Sequence, residues 1–137
     1  MRLVSACLLG FRCRYDGGSN ERPQVVALLD QETLIPVCPE QLGDLPTPRP
    51  PSEIVGGRVF TPSGEDQTDA YQRGAEETVA LARRLGITEA ILKQRSPSCG
   101  CGQLYDGSFS GRVTIGDGIT TALLKNHGIR VISEEEL

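Results

Sequence analysis

Four short apolar runs alternate with segments of helical period, and that alternation limits what the chain can become. The runs are "RLVSA" from Arg2, "TLIPV" from Thr33, "TEAILK" from Thr88 and "IRVIS" from Ile129. Each is too short for a helix and nearly free of polar alternation, as a strand buried on both faces must be. Between them, Pro23 suits a first helical turn, with Val25, Val26, Leu28 and Leu29 as its apolar face. Residues 67–85 place Tyr71, Ala75, Thr78, Ala82 and Leu85 at three- and four-residue spacing, and Gly86 stops that helix. "GDGITTALLKNHG" forms a last helix closed by Gly128, with Asp117 as its N-cap and His127 near its C-terminal end. Strand–helix alternation with right-handed crossovers predicts an α/β fold. The expected form is a small three-layer, Rossmann-like domain over residues 1–137, with a mainly parallel sheet of about four strands. A long Pro-rich loop follows Cys38, with a small hairpin near Ile54–Phe60, and "EEEL" reads as a solvated acidic tail.

A chain of 137 residues buries roughly 70% of its unfolded surface and needs no disulfides to do so. Its five cysteines are an odd number, which fits poorly with a disulfide framework and points to a cytoplasmic protein with reduced thiols. No apolar run approaches the roughly 18 residues of a membrane span. A net charge of −4 argues against a nucleic-acid-binding surface. Oligomeric state is not legible.

Cys7 follows the first strand, Cys38 the second, and Cys99 the third within the loop "SPSCGCG". Parallel strands about 4.8 Å apart therefore deliver three thiols to one edge of the sheet. That edge, beyond the strand carboxyl ends, is where open α/β sheets bind ligands. A cysteine is often a small core hydrophobe. These three instead sit among polar residues, Gly and Pro, which favours metal-ligand or catalytic roles. Cys13 and Cys101 are further thiols without such placement. The spacings C-x5-C and C-x-C make poor zinc knuckles, but spacing alone does not separate zinc from an iron–sulfur cluster.

The motifs "VSACLLG-x2-CRYDGG", "IPVCPEQLGDLPTPRPPSEI", "LKQRSPSCG", "YDGSFSG" and "GDGITTALLK" span nearly the whole chain. Together they resemble a bacterial family similar to the 2-thiouracil desulfidases. The resemblance implies an oxygen-sensitive [4Fe–4S] cluster held by Cys7, Cys38 and Cys99, the three cysteines that strand order selects. It also implies removal of sulfur from a small thiolated pyrimidine, with Glu40 and Ser96 or Ser98 as catalytic groups. Cys13 and Cys101 lie outside the implied ligand set, and either would close the cluster if it bound as a fourth ligand. In the expected reaction water attacks the thiocarbonyl carbon, a hydrolase-type step, and Glu40 shuttles the proton.

Substrate contacts are expected from Arg14 and Asp16, which otherwise form a turn. Arg49 is a further candidate, which otherwise braces the proline loop. Two other readings compete. One is a cysteine-nucleophile phosphatase or arsenate reductase, although its loop needs five residues between Cys and Arg, and here four separate Cys7 from Arg12 and six from Arg14. The other is a non-catalytic, metal-stabilised binding or sensor module.

Overall fold

A computed structural model describes all 137 residues. In chain order the elements are β1 (Arg2–Ser5), α1 (Pro23–Val26), β2 (Leu34–Val37) and α2 (Pro39–Leu42). Next come β3 (Glu53–Val55), β4 (Arg58–Phe60), α3 (Thr68–Leu85) and β5 (Glu89–Leu92). Last are β6 (Gln103–Tyr105), β7 (Val113–Ile115), α4 (Ile119–Asn126) and β8 (Arg130–Ser133). The four apolar runs form one fully parallel sheet in the order β2–β1–β5–β8. Arg2 pairs with Leu34, Leu3 with Ala90, and Glu89 with Arg130. The predicted α/β architecture is therefore present.

Period-two alternation sorts the strand residues between two cores. Leu3, Ala90 and Leu92 pack against Val79 and Ala82 of α3 and Leu124 of α4. Val4 and Ile91 point the other way, against Leu8, Val25 and Leu34. Both faces are dry, which explains why these strands lack the polar alternation of a half-exposed sheet.

Helix α2 lies directly on α3 through two glycines. A Cβ at Gly74 would stand 1.9 Å from the Pro39 carbonyl oxygen, and one at Gly43 would stand 2.0 Å from that of Ala70. Backbone-to-backbone contact of this kind seats the short turn that carries Glu40.

Several local expectations are corrected. Helix α1 is one turn long and continues as a 3₁₀ turn over Ala27–Asp30. Leu29 is exposed while Val25 is buried, because one turn and Leu28 suffice to cover this narrow face. Leu85 is likewise exposed at the end of α3, where Gly86 takes φ 67°. The N-cap of α4 is Gly118, not Asp117. The Asp117 carboxylate instead accepts from the Gly102 amide at 2.8 Å and pairs with Lys125 at 3.0 Å.

His127 sits at the C-cap of α4, its Nδ1 3.0 Å from the Leu123 carbonyl oxygen. The hairpin at β3–β4 forms as expected, and a second one, β6–β7, appears where the sequence shows only turn residues. Its three-residue strands are too short to carry a readable alternation. The acidic tail is not simply solvated. Glu134 is only 2% exposed, and its Oε1 accepts from the Gln94 amide at 2.7 Å. Its Oε2 lies 3.3 Å from Lys93 Nζ.

Candidate active site

Cys7 lies in a 3₁₀ turn directly after β1, Cys38 holds the N-cap position of α2 directly after β2, and Cys99 lies in the loop after β5. All three line one cavity of about 460 Å³ at the carboxyl ends of the sheet. Ser96 fixes the approach to Cys99. Its Oγ accepts from the backbone amides of Ser98 at 3.2 Å and Cys99 at 3.0 Å. Gly100 must lack a Cβ, because one would meet the Gln103 carbonyl oxygen at 2.6 Å.

Cys13 is a fourth thiol on the same cavity. The neighbouring Cys13 thiol is the main reason the Cys7 thiol is held below its ordinary pKa and the Cys38 thiol is lowered to about 7; Cys38 Sγ itself lies 3.8 Å from the Cys13 carbonyl oxygen. Cys13 itself is shifted far upward. Burial pushes the Cys99 thiol up to about 12, against weaker help from Ser5 and Ser98. Cys101 lies away from the cavity, its Sγ 3.4 Å from the Val131 carbonyl oxygen. All five cysteines are free.

A single zinc ion needs four donors converging at about 2.0–2.3 Å. The three donors on this cavity that the strand ends supply are all thiols, a donor set that fits an iron–sulfur centre, since sulfur ligands select such clusters.

Glu40 stands on the cavity wall with both oxygens engaged. Oε1 accepts from Arg49 Nε at 2.9 Å, and Oε2 accepts from Ser98 Oγ at 2.9 Å. Ser98 Oγ is also 3.0 Å from Ser96 Oγ and 3.6 Å from Cys99 Sγ. The carboxylate, the two hydroxyls and the thiol thus form one hydrogen-bonded chain. Arg49 is buried, and its other N–H groups donate to the Pro46 carbonyl at 3.1 Å, Thr47 Oγ1 at 2.9 Å and the Cys13 carbonyl at 2.8 Å. Tyr71 of α3 is buried beside Glu40 and Ser52, and desolvation is the main cause raising its phenol pKa.

Arg14 lines the cavity and donates to Asn20 Oδ1 at 2.7 Å. Asp16 does not line it. Asp16 pairs with Arg14 at 3.1 Å and accepts from the Gly18 amide at 2.9 Å, closing the turn. The structure therefore brings Cys7, Cys38, Cys99, Glu40, Ser96, Ser98, Arg14 and Arg49 to one cavity and leaves Asp16 outside. Tyr71 and Lys93 line the cavity as well and were not readable as members of this region. Cys13, left open in the sequence as a fourth ligand, shares the cavity, whereas Glu134, which pairs with Lys93 from behind it, was hidden in a run of like residues.

Cysteine thiols from three strand ends share one cavity with a hydrogen-bonded carboxylate–hydroxyl pair at the edge of an open α/β sheet, the kind of site that could hold an iron–sulfur cluster in an enzyme. Comparison with known proteins narrows the class. The chain belongs to the 2-thiouracil desulfurase family, whose model matches residues 3–136. It is 46% identical over 147 residues to the uncharacterized protein YbbK of Bacillus subtilis (strain 168), covering 100% of this chain and 97% of that protein. A solved structure, a [4Fe-4S]-dependent thiouracil desulfidase named TudS, superposes with a TM-score of 0.94 at 48% identity, covering 99% of this chain and 91% of that one.

Two expectations change accordingly. The reaction class is that of a desulfidase, grouped with the carbon–sulfur lyases rather than with the hydrolases, although exchanging sulfur for oxygen still consumes one water overall. The phosphatase alternative falls as well, because Arg12 lies off the cavity while three further cysteines, Cys13, Cys38 and Cys99, share it with Cys7.

Proposed function

We propose that this chain is a [4Fe–4S]-dependent desulfidase that converts a small thiolated pyrimidine, such as 2-thiouracil, into its oxo counterpart. The balance is one thiocarbonyl plus one water giving one carbonyl plus one hydrogen sulfide. The observation that carries the reading is the meeting of Cys7, Cys38 and Cys99 in the cavity that also holds the Glu40–Ser98 bond. Those three cysteines would hold the cluster. A cluster on three thiolates supplies an iron without a protein ligand, a soft Lewis acid suited to thiocarbonyl sulfur.

The chain's own groups do the rest. Glu40 Oε2 takes the proton that Ser98 Oγ passes on from the attacking water. Arg49 holds the other carboxylate oxygen, so Glu40 keeps one orientation through the transfer. Ser96 keeps Ser98 and Cys99 in register through three hydrogen bonds. Arg14, braced by Asp16 and Asn20, presents its remaining N–H groups to substrate oxygen or nitrogen. Five free thiols support a reducing compartment such as the cytoplasm, and no helix is long and apolar enough to cross a membrane.

The test is anaerobic reconstitution, iron and sulfide analysis, and loss of 2-thiouracil absorbance. Wild-type protein should carry about four irons per chain and turn over. Ser98→Ala and Glu40→Gln should keep the iron and lose turnover by about 10²-fold or more. Cys7→Ser, Cys38→Ser and Cys99→Ser should each lose iron. Fully active Ser98→Ala and Glu40→Gln proteins, or an iron-loaded wild type inert towards thiolated pyrimidines, would overturn the reading.

A further inference from the structure

The chain is poor in aromatic residues, with three Tyr, three Phe and no Trp. Four of these six rings line the one cavity: Tyr15, Tyr71, Tyr105 and Phe109. No phenylalanine enters either hydrophobic core. Tyr71 is buried, but Tyr15, Tyr105 and Phe109 keep 41%, 37% and 36% of their surface exposed. Large rings left in water forgo the free energy of burial, so a concentration of them at one cavity calls for an occupant.

Phe109 is held there against its backbone preference. Its φ is 54°, a region that bulky residues seldom occupy and that favours Gly or Asn. Two devices keep it in place. Glu53 Oε1 accepts from the amides of both Gly107, at 2.9 Å, and Phe109, at 3.1 Å. Gly107 presses so close to β3 that a Cβ would lie 2.3 Å from Val55 Cγ2 and 3.0 Å from the Ile54 carbonyl oxygen. The β6–β7 loop is thereby pinned to the proline-rich loop, with the ring of Phe109 on the cavity wall. The Arg14 guanidinium already stands 5.5 Å from the centre of the Tyr15 ring. That leaves Phe109 and Tyr105 as the exposed rings of the cavity not engaged by a cation, and of the two only Phe109 is held in a left-handed backbone conformation.

We propose that Phe109, which shares the cavity with Tyr15 and Tyr105, is the specificity-determining residue that stacks on the substrate ring and selects planar heteroaromatic thiocarbonyls over open-chain ones. This rests on the desulfidase reading above and adds the group that recognises the ring. Strain in the loop is maintained because a flexible Phe would lose ordering entropy each time it met the substrate, whereas a pinned one does not.

The test compares reconstituted wild type with Phe109→Ala, Phe109→Tyr, Glu53→Gln and the control Phe11→Ala, whose ring is exposed but off the cavity. Substrates are 2-thiouracil and the open-chain thiourea, and the affinity for uracil is measured separately by equilibrium dialysis. Losing a base–aromatic stack should raise the 2-thiouracil KM by about tenfold and weaken uracil binding by the same factor. Thiourea kcat/KM should stay within about twofold, Phe109→Tyr should restore both losses, Glu53→Gln should fall between, and Phe11→Ala should match wild type. An unchanged KM and unchanged uracil affinity in Phe109→Ala, in a wild type that turns over 2-thiouracil, would overturn the clamp alone. A wild type inert to 2-thiouracil would overturn the desulfidase reading, and uracil and 2-thiouracil affinities would still judge the clamp.

Discussion

Replacing Arg49 with Met should unfold the site before it changes any chemistry. The guanidinium and the Glu40 carboxylate are only 5% and 13% exposed, so solvent screens their 2.9 Å contact little. Removing one partner of a buried pair costs about 3–5 kcal/mol, because the other charge stays behind without compensation. Here the Pro46 and Cys13 carbonyls also lose their donors. Unfolding entropy of about 2.1 cal/mol/K per residue, over 137 residues, gives about 0.29 kcal/mol/K. The expected fall in Tm is therefore about 10–17 °C.

The assay is thermal unfolding of the reduced, metal-free protein by circular dichroism. An Arg130→Ala control removes a pair that is 75% and 44% exposed and should shift stability by less than about 0.5 kcal/mol. Adding Glu40→Gln to Arg49→Met should recover part of the loss, since no charge is then stranded. A Tm for Arg49→Met within about 3 °C of wild type, or a double variant no better than the single, would refute the argument.

Three further outcomes follow from the packing and electrostatics. Gly74→Ala should destabilise by about 1–3 kcal/mol or more despite the better helix propensity of alanine, because its Cβ would lie 1.9 Å from the Pro39 oxygen; urea denaturation measures this, and a stabilised variant would contradict it. Glu134→Gln should cost about 1–3 kcal/mol, since the buried carboxylate holds the Gln94 amide and Lys93, whereas Glu136→Gln, at the open end of the tail, should cost less. Asp66 is held down to about 2, chiefly by hydrogen bonds from the Thr68 side chain and amide, with Arg58 adding to them. A depressed folded pKa means its contribution is full above the unfolded value of about 3.9 and is lost as pH falls towards about 2. Melting temperatures of wild type and Asp66→Asn should therefore converge across that window, and parallel curves would contradict it.

Much of this protein was legible in one dimension. Four apolar runs separated by helical segments determined a parallel sheet buried on both faces, because only strands covered twice lack polar alternation. The same order placed Cys7, Cys38 and Cys99 at one edge, because parallel strands end on the same side. Periodicity also located α3, and Gly86 marked its end. Tertiary structure alone decided the rest. Cys13 reaches the cavity and Cys101 does not, although both lie near a motif cysteine in sequence. Arg49 turned out to be a brace with four donors engaged, because its partners come from segments up to 36 positions away. Glu134 left an apparently solvated tail for the interior, and Phe109 reached the cavity wall through a hairpin too short to announce itself. Local patterns record which face a residue prefers, whereas a hydrogen bond or a shared cavity depends on which distant segments the fold sets side by side.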